Sequence, residues 1–353
     1  MKNVFYYLDY YGNLTFDEVH FNDIDGLIFA LLSYVKLKDI VPSDRFKTIS
    51  LKQACVLFLS KYSEKDFKKE DWLFPSSYKL MVILANSKRY TSCKLGHFVI
   101  KTDKNGQFRA LTIRAGDITY LSFEGTDSEV IGWKEDFELM YKFPIQSQIH
   151  AADYFNATLT LFDRKVYLGG HSKGGNLAMY AYMYGKESFK KRVVQVYNFD
   201  GPGFLKDVLS SSLYEEMESK LKMVVPKESV VGMLLGHRDY MVVNSSAKGV
   251  LQHDAFTWEC FGGFFVPSIL SKKSKKLEMN LEEYLQGMSK EERKNFVETF
   301  FAVFEKTSIQ NIMQLKELKI STLLNIMKEF KNVPSSTKRN LVAVLRMLIT
   351  GMN

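Results

Sequence analysis

Lys165-Val166-Tyr167-Leu168-Gly169-Gly170-His171-Ser172-Lys173-Gly174-Gly175-Asn176-Leu177-Ala178-Met179-Tyr180-Ala181-Tyr182 is the stretch whose reading decides the fold. A short apolar run ends in glycines, a serine sits at the apex of a turn of small residues, and an Ala/Met/Tyr-rich helical pattern follows. Gly170-His171-Ser172-Lys173-Gly174 fits G-x-S-x-G, the strand-turn-helix in which a serine nucleophile stands clear of a sheet. The glycines have a steric reason, because strand and helix pack almost in contact there and leave no room for a Cβ. The helix N-terminus behind the serine aims N–H groups at any developing oxyanion. The bare pattern arises by chance in roughly one chain in ten of this length, so context decides. Val193 to Phe199, a second strand-like run, follows after one helix length, as a βαβ unit requires.

Working outward, the chain has 353 residues, of which 46% are hydrophobic and 25% charged. That is ordinary globular composition with length for one large domain or one domain plus an appendage. No secretory signal is read at Met1-Lys2-Asn3-Val4-Phe5, and the longest apolar run, residues 26–35, is too short to span a bilayer. Cys55, Cys93 and Cys260 are few, odd in number and without metal-ligand spacing, so they read as reduced thiols in a cytoplasmic protein. Neither a metal nor an organic cofactor is implied, and nucleic acid is not an expected partner. From Ser271 onward 15 Lys and Arg stand against 9 Asp and Glu, so most of the net charge of +8 lies in that tail. A solvated basic face or a peripheral contact with an anionic membrane would both follow from it.

Residues 1–90 carry helical periodicity: Ile24, Leu27, Ile28, Leu31 and Leu32 after the N-cap around Asn22, then Leu51 to Tyr62 and Tyr78 to Ser87. This block either flanks a sheet or caps a site. Near residue 97 the period becomes alternating. His97 to Thr102 and Phe108 to Arg114 read as a hairpin turning at Asn105-Gly106, and Ile118 to Phe123 as a third strand running into Glu124-Gly125-Thr126-Asp127. A strand that ends in Gly-Thr upstream of an elbow is where a hydrolase obtains its second oxyanion donor, so Thr126 joins Lys173 as a candidate. The expected core, residues 91–268, is followed by a helical extension over 269–353, with Leu281–Gly287, Lys290–Lys306, Ile309–Lys331 and Ser336–Thr350 periodic and the polar run 271–276 as a boundary.

Serine chemistry needs an acid at a strand end and then a histidine, both after the serine. Only His237 and His253 lie downstream of Ser172. Two sets remain open, Ser172 with Asp239 and His253, or Ser172 with Asp200 and His237. Asp239 follows the apolar run Ser229–Leu235, and the loop from it to His253 is long enough to return an imidazole to the serine. Asp200 ends the strand next after the elbow but is followed by Gly-Pro-Gly, which suggests a tight turn.

Phe123-Glu124-Gly125-Thr126, Trp133 with Asp136, Gly170-His171-Ser172-Lys173-Gly174-Gly175, Asp239 and His253 resemble, in order and spacing, class 3 (fungal-type) lipases. The chain is also similar, from residue 1 to about 265, to an uncharacterised bacterial family of lipase-like α/β-hydrolases, through Phe21-Asn22, the elbow and Phe199-Asp200-Gly201-Pro202-Gly203. The resemblance implies an α/β-hydrolase fold, with a mostly parallel sheet flanked by helices. It also implies Ser172 as nucleophile, Asp239 orienting the base His253, and an oxyanion hole from Lys173 and Thr126. Glu124 and Lys173 depart from the lipase pattern, which has Arg and an apolar residue there, and predict a more polar mouth. The expected activity is hydrolysis of carboxylic esters, lipids among them. An acyltransferase or thioesterase on the same residues, or a hydrolase fold retained as a silent binding module, are the alternatives.

Overall fold

A computed structural model of the chain describes residues 2–64, 74–103, 106–127 and 130–307. Its frame is an eight-stranded sheet in sequence order: β1 (Thr48–Ser50), β2 (Lys94–Asp103), β3 (Gly106–Ala115), β4 (Ile118–Phe123), β5 (Lys165–His171), β6 (Val193–Phe199), β7 (Leu221–Pro226) and β8 (Met241–Val243). The first four strands pair antiparallel and the run from β4 to β8 is parallel. This is an α/β fold with a mostly parallel sheet. The expected hairpin is present as β2 and β3, with Asp103 opposite Gly106; residues 104 and 105 of its turn lie outside the described residues.

Sequential order explains the layers. Each parallel crossover steps in the same direction, and right-handed crossovers then place every connecting helix on one face. The helices are α1 (Val4–Tyr11), α2 (Asp23–Leu31), α3 (Leu51–Lys61), α4 (Phe74–Leu84), α5 (Lys88–Thr91), α6 (Val130–Glu138), α7 (Gln146–Thr158), α8 (Lys173–Met183), α9 (Glu187–Lys190), α10 (Lys206–Leu209), α11 (Ser212–Glu218), α12 (Lys272–Gln286) and α13 (Lys290–Thr307). α7, α8 and α11 share a hydrophobic cluster with Leu121, Phe123, Leu168 and Val196. The opposite face would be bare, and the N-terminal segment covers it. Its apolar residues join Leu111, Ile113, Tyr120, Tyr197 and Phe199, the alternate set on the same strands.

α2 therefore lies flat on the sheet. The Tyr120 hydroxyl donates to the Gly26 carbonyl at 2.9 Å and the Ser122 hydroxyl to that of Phe29 at 2.8 Å. Beneath it, Arg89 holds Asp25 through Nε at 2.9 Å and Nη2 at 2.6 Å, both residues fully buried, and the remaining guanidinium hydrogens reach the carbonyls of Thr15, Val19 and His20. Such a pair is tolerated because every donor finds an acceptor. With β1 paired onto β2 as well, the described residues of this segment build a layer and an edge of the core.

Two strand assignments differ from the sequence reading. Leu221–Pro226, which begins at the last residue of the expected helix Ser211–Leu221, is strand β7, while Ser229–Leu235 is not a strand but a loop with a single 3-10 turn at Val231–Met233. The expected boundary at 271–276 is the start of α12, capped by the Ser271 hydroxyl on the Ser274 N–H. α13 packs on α6, with Phe137 stacked on Phe300 at 5.2 Å and edge-on to Phe301 at 5.4 Å. The expected helices Ile309–Lys331 and Ser336–Thr350 lie outside the described residues. Among the described residues no helix is long and apolar enough to cross a membrane.

Candidate active site

The site is assembled where β4, β5 and β6 end side by side. β5 stops at His171 and α8 starts at Lys173, so Ser172 makes the whole turn, with φ 57° and ψ −136°. A non-glycine residue held there stores roughly 1–3 kcal/mol of strain, sustained only by surrounding structure. The surroundings are backbone: the Ser172 N–H donates to the Phe199 carbonyl at 2.9 Å, and its carbonyl accepts from the Gly175 N–H at 2.9 Å. A Cβ on Gly170 would come within 2.5 Å of the Phe123 carbonyl and run into Gly174, and one on Gly174 would run into the same Phe123 carbonyl. Three backbones meet at this point, and only glycine lets them.

One residue past the end of β6, Asp200 also turns through positive φ, at 53°, and is wholly buried. One carboxylate oxygen accepts from the Ser229 hydroxyl and from the Gly232 N–H at 3.1 Å; the other lies 2.7 Å from His253 Nδ1. A carboxylate is an acceptor, so Nδ1 of His253 is the donor in this pair, and in the neutral imidazole that leaves Nε2 as the acceptor. His253 closes a 3-10 turn, Gly249–His253, and its carbonyl accepts a bond from His171 Nε2 at 2.7 Å, with the two imidazoles 4.5 Å apart. His253 is thereby fixed against the residue that precedes Ser172. His171 is itself held at Nδ1 by the Tyr34 hydroxyl at 3.0 Å. Burial, and then the neighbouring His253, hold the His171 pKa well below the usual imidazole range.

On the other side of the serine runs the exit of β4. A Cβ on Gly125 would lie 2.9 Å from that of Ser172 and 2.5 Å from the His171 carbonyl. Thr126 follows, buried, its hydroxyl donated to Asp136 Oδ2 at 2.6 Å. Trp133 binds the Asp127 carbonyl through its indole N–H at 3.0 Å and ties α6 to this turn. The Lys173 ammonium is turned inward, with 1% of its side chain exposed, onto Glu135 Oε2 at 2.9 Å and the Gln107 carbonyl at 3.3 Å. Burial works against the charge on Glu135, yet the Lys173 ammonium and the Ser147 N–H hold its carboxyl below the usual range. Burial pushes Asp136 up to about 6, against the pull of Lys173 and the Thr126 hydroxyl.

Of the residues singled out from the sequence, the structure brings together Ser172, Lys173, Thr126, Asp200 and His253. It does not bring Asp239 to His253. Asp239 is exposed on the approach to β8, not at a strand end, because the apolar run before it is the loop that wraps Asp200. His237 is not on Asp200 either; its ring nitrogens are buried, and burial lowers it to about 4. The pairing is thus Asp200 with His253, one member from each of the two expected sets. Glu124 and Lys173 do not make the mouth polar, since both are buried and paired, Glu124 with Arg109. Sequence reading missed Ser229, Gly232, His171, Tyr34 and Glu135 as supports. Cys55, Cys93 and Cys260 are buried free thiols, and no cluster of three or more metal-ligating side chains occurs among the described residues.

A family model described as Mbeg1-like matches residues 84–302, more than half of the chain. The chain belongs to the Mbeg1-like family. It is a family of unknown function. The match runs from the end of α4 into α13, so it takes in Thr126, Asp136, Ser172, Asp200 and His253 and continues past the residue near 265 where the sequence resemblance was expected to stop. It leaves out α1 to α3 and Tyr34. No curated protein and no solved structure matches the chain.

Proposed function

We propose that this Mbeg1-like protein is a lipase-like serine hydrolase of carboxylic esters, working through an acyl-enzyme on Ser172. The observation that carries the reading is the buried Asp200–His253 pair at 2.7 Å, locked by His171 beside a serine in strained backbone. Asp200 holds the imidazole in the tautomer that can accept a proton. His253 Nε2 takes the Ser172 hydroxyl proton as the oxygen attacks the ester carbonyl, and the C–O bond to the leaving alcohol breaks as His253 returns that proton. Water then repeats the sequence on the acyl-enzyme and releases the acid. The oxyanion of each tetrahedral intermediate rests on the N–H groups of Lys173, first residue of α8, and of Thr126.

Glu124 and Lys173, the two departures from class 3 lipases, are both buried in ion pairs. They leave an apolar acyl chain compatible with the mouth, and a lipid ester stays within the proposed substrate class. With three buried free thiols, a reducing cytoplasmic setting fits the reading. The test is turnover of p-nitrophenyl butyrate by the full chain and by Ser172→Ala. Hydrolysis that is lost in the variant supports the assignment. Wild-type protein that is folded and inert to esters and thioesters of two to twelve carbons would leave the hydrolase fold as a binding module.

A further inference from the structure

We propose that Lys173 is a positioning residue that locks the two halves of the oxyanion hole to one another, an inference that rests on the serine-hydrolase reading above. Its backbone N–H, immediately after Ser172, is one of the two donors. Its side chain turns away from the mouth and ends two contacts from the other: the ammonium lies 3.8 Å from Asp136 Oδ1, and Asp136 Oδ2 accepts the Thr126 hydroxyl at 2.6 Å.

The lysine is held from a rigid point. Glu135, its direct partner at 2.9 Å, also accepts from the Ser147 N–H at 2.9 Å and the Gln107 N–H at 3.3 Å, which ties it to the starts of α7 and β3. Glu135 and Asp136 both belong to α6, so that helix is fixed at Glu135 to α7 and β3, and the Lys173 ammonium joins it to the first residue of α8. Asp136 Oδ1 is buried and makes no hydrogen bond, so the nearby ammonium is its main electrostatic compensation. Without Lys173, Asp136 would shed its charge, since burial already raises it to about 6, and its grip on the Thr126 hydroxyl would weaken.

A merely structural account is the weaker one. A buried ion pair seldom adds stability over apolar side chains of similar volume, and an apolar residue would fill this position without needing Glu135. What the pair provides is geometry, with Lys173 and Thr126 referred to a common carboxylate pair. A displacement near 1 Å in such a site costs about 10²-fold in rate, comparable to removal of one oxyanion donor.

The experiment uses the full chain with a p-nitrophenyl ester and reads kcat, KM and thermal midpoint for Lys173→Met/Glu135→Gln, Asp136→Asn and the combination of all three. The double variant removes one charge of each sign, so the local net charge is unchanged. It is expected to lose about 10²-fold in kcat, with KM within about threefold. Asp136→Asn is expected to lose a similar factor, and the combination no more than about threefold beyond either, because both act through Thr126. If the double variant does not fold, Lys173→Gln, which keeps a donor toward Glu135 without the charge, is expected to show the same loss. A Lys173 variant that keeps wild-type kcat while its midpoint falls, or losses that multiply, would overturn the inference. Wild-type protein with no turnover would overturn the serine-hydrolase reading and this inference with it.

Discussion

Asp200→Asn separates the observed pairing from the one the sequence favoured. In the native site the carboxylate takes three donors, from Ser229, Gly232 and His253. An asparagine placed isosterically keeps its carbonyl oxygen on Ser229 and Gly232, so the loop that wraps the residue stays anchored. Its NH₂ then faces His253 Nδ1, which must become an acceptor, and the imidazole proton moves to Nε2. Nε2 no longer has a lone pair for the Ser172 proton. The equivalent change in a Ser-His-Asp enzyme lowers kcat about 10⁴-fold, close to 5.5 kcal/mol of transition-state stabilisation. The folding cost is smaller, about 1.5–3 kcal/mol for the charge-assisted bond, offset in part by burying an amide in place of a carboxylate. The assay is kcat on a soluble p-nitrophenyl ester, with a thermal melt to confirm folding and Asp239→Asn in parallel. Asp200→Asn is expected to lose about four orders of magnitude. Asp239→Asn, on an exposed side chain, is expected to stay within about twofold. A ranking in the other order, or an Asp200→Asn protein that is folded and retains a tenth of wild-type turnover, would refute the pairing.

Two further outcomes rest on packing and burial. Phe300→Ala removes a 1%-exposed ring from the stack on Phe137; it is expected to cost about 3–5 kcal/mol by denaturant titration and, because α6 carries Asp136, to lower kcat more than KM. His237 titrates near 4 in the folded protein because burial disfavours its imidazolium, so as pH falls the unfolded chain takes the proton first. The stability it contributes is complete above about pH 6.5 and is lost between there and about pH 4. His237→Leu should flatten that part of the curve of thermal midpoint against pH, and an unchanged slope would show that the ring is accessible to protons when folded.

The elbow was legible because its chemistry is local: small residues at fixed offsets, an apolar strand before, a helical pattern after. β3, β4 and β6 announced themselves by alternation, and α2 by its cap and period. The Asp200–His253 contact was not legible, for a definite reason. Leu221–Pro226 and Ser229–Leu235 are both short apolar runs, and periodicity does not say which of them enters a sheet. Taking the second as the strand displaced its end to Asp239, whereas it is the first that pairs with β6 and the second, with Ser229 and Gly232, that folds under Asp200. Lys173 was misread for a related reason. A lysine in an exposed-looking turn is expected to face solvent, and contacts with Gln107, Glu135 and Asp136, all distant in sequence, turn it inward. Tyr34 and His171 stand 137 residues apart, and no local pattern links them.

Covalent labelling tests the central claim most directly. The full chain is treated with a fluorophosphonate, its intact mass recorded and the adduct mapped by peptide sequencing, with Ser172→Ala treated alongside. One adduct per chain, on Ser172 and absent from the variant, is the expected result. Labelling that persists in Ser172→Ala, or folded wild-type protein that takes no label at all, would contradict the assignment of Ser172 as the nucleophile.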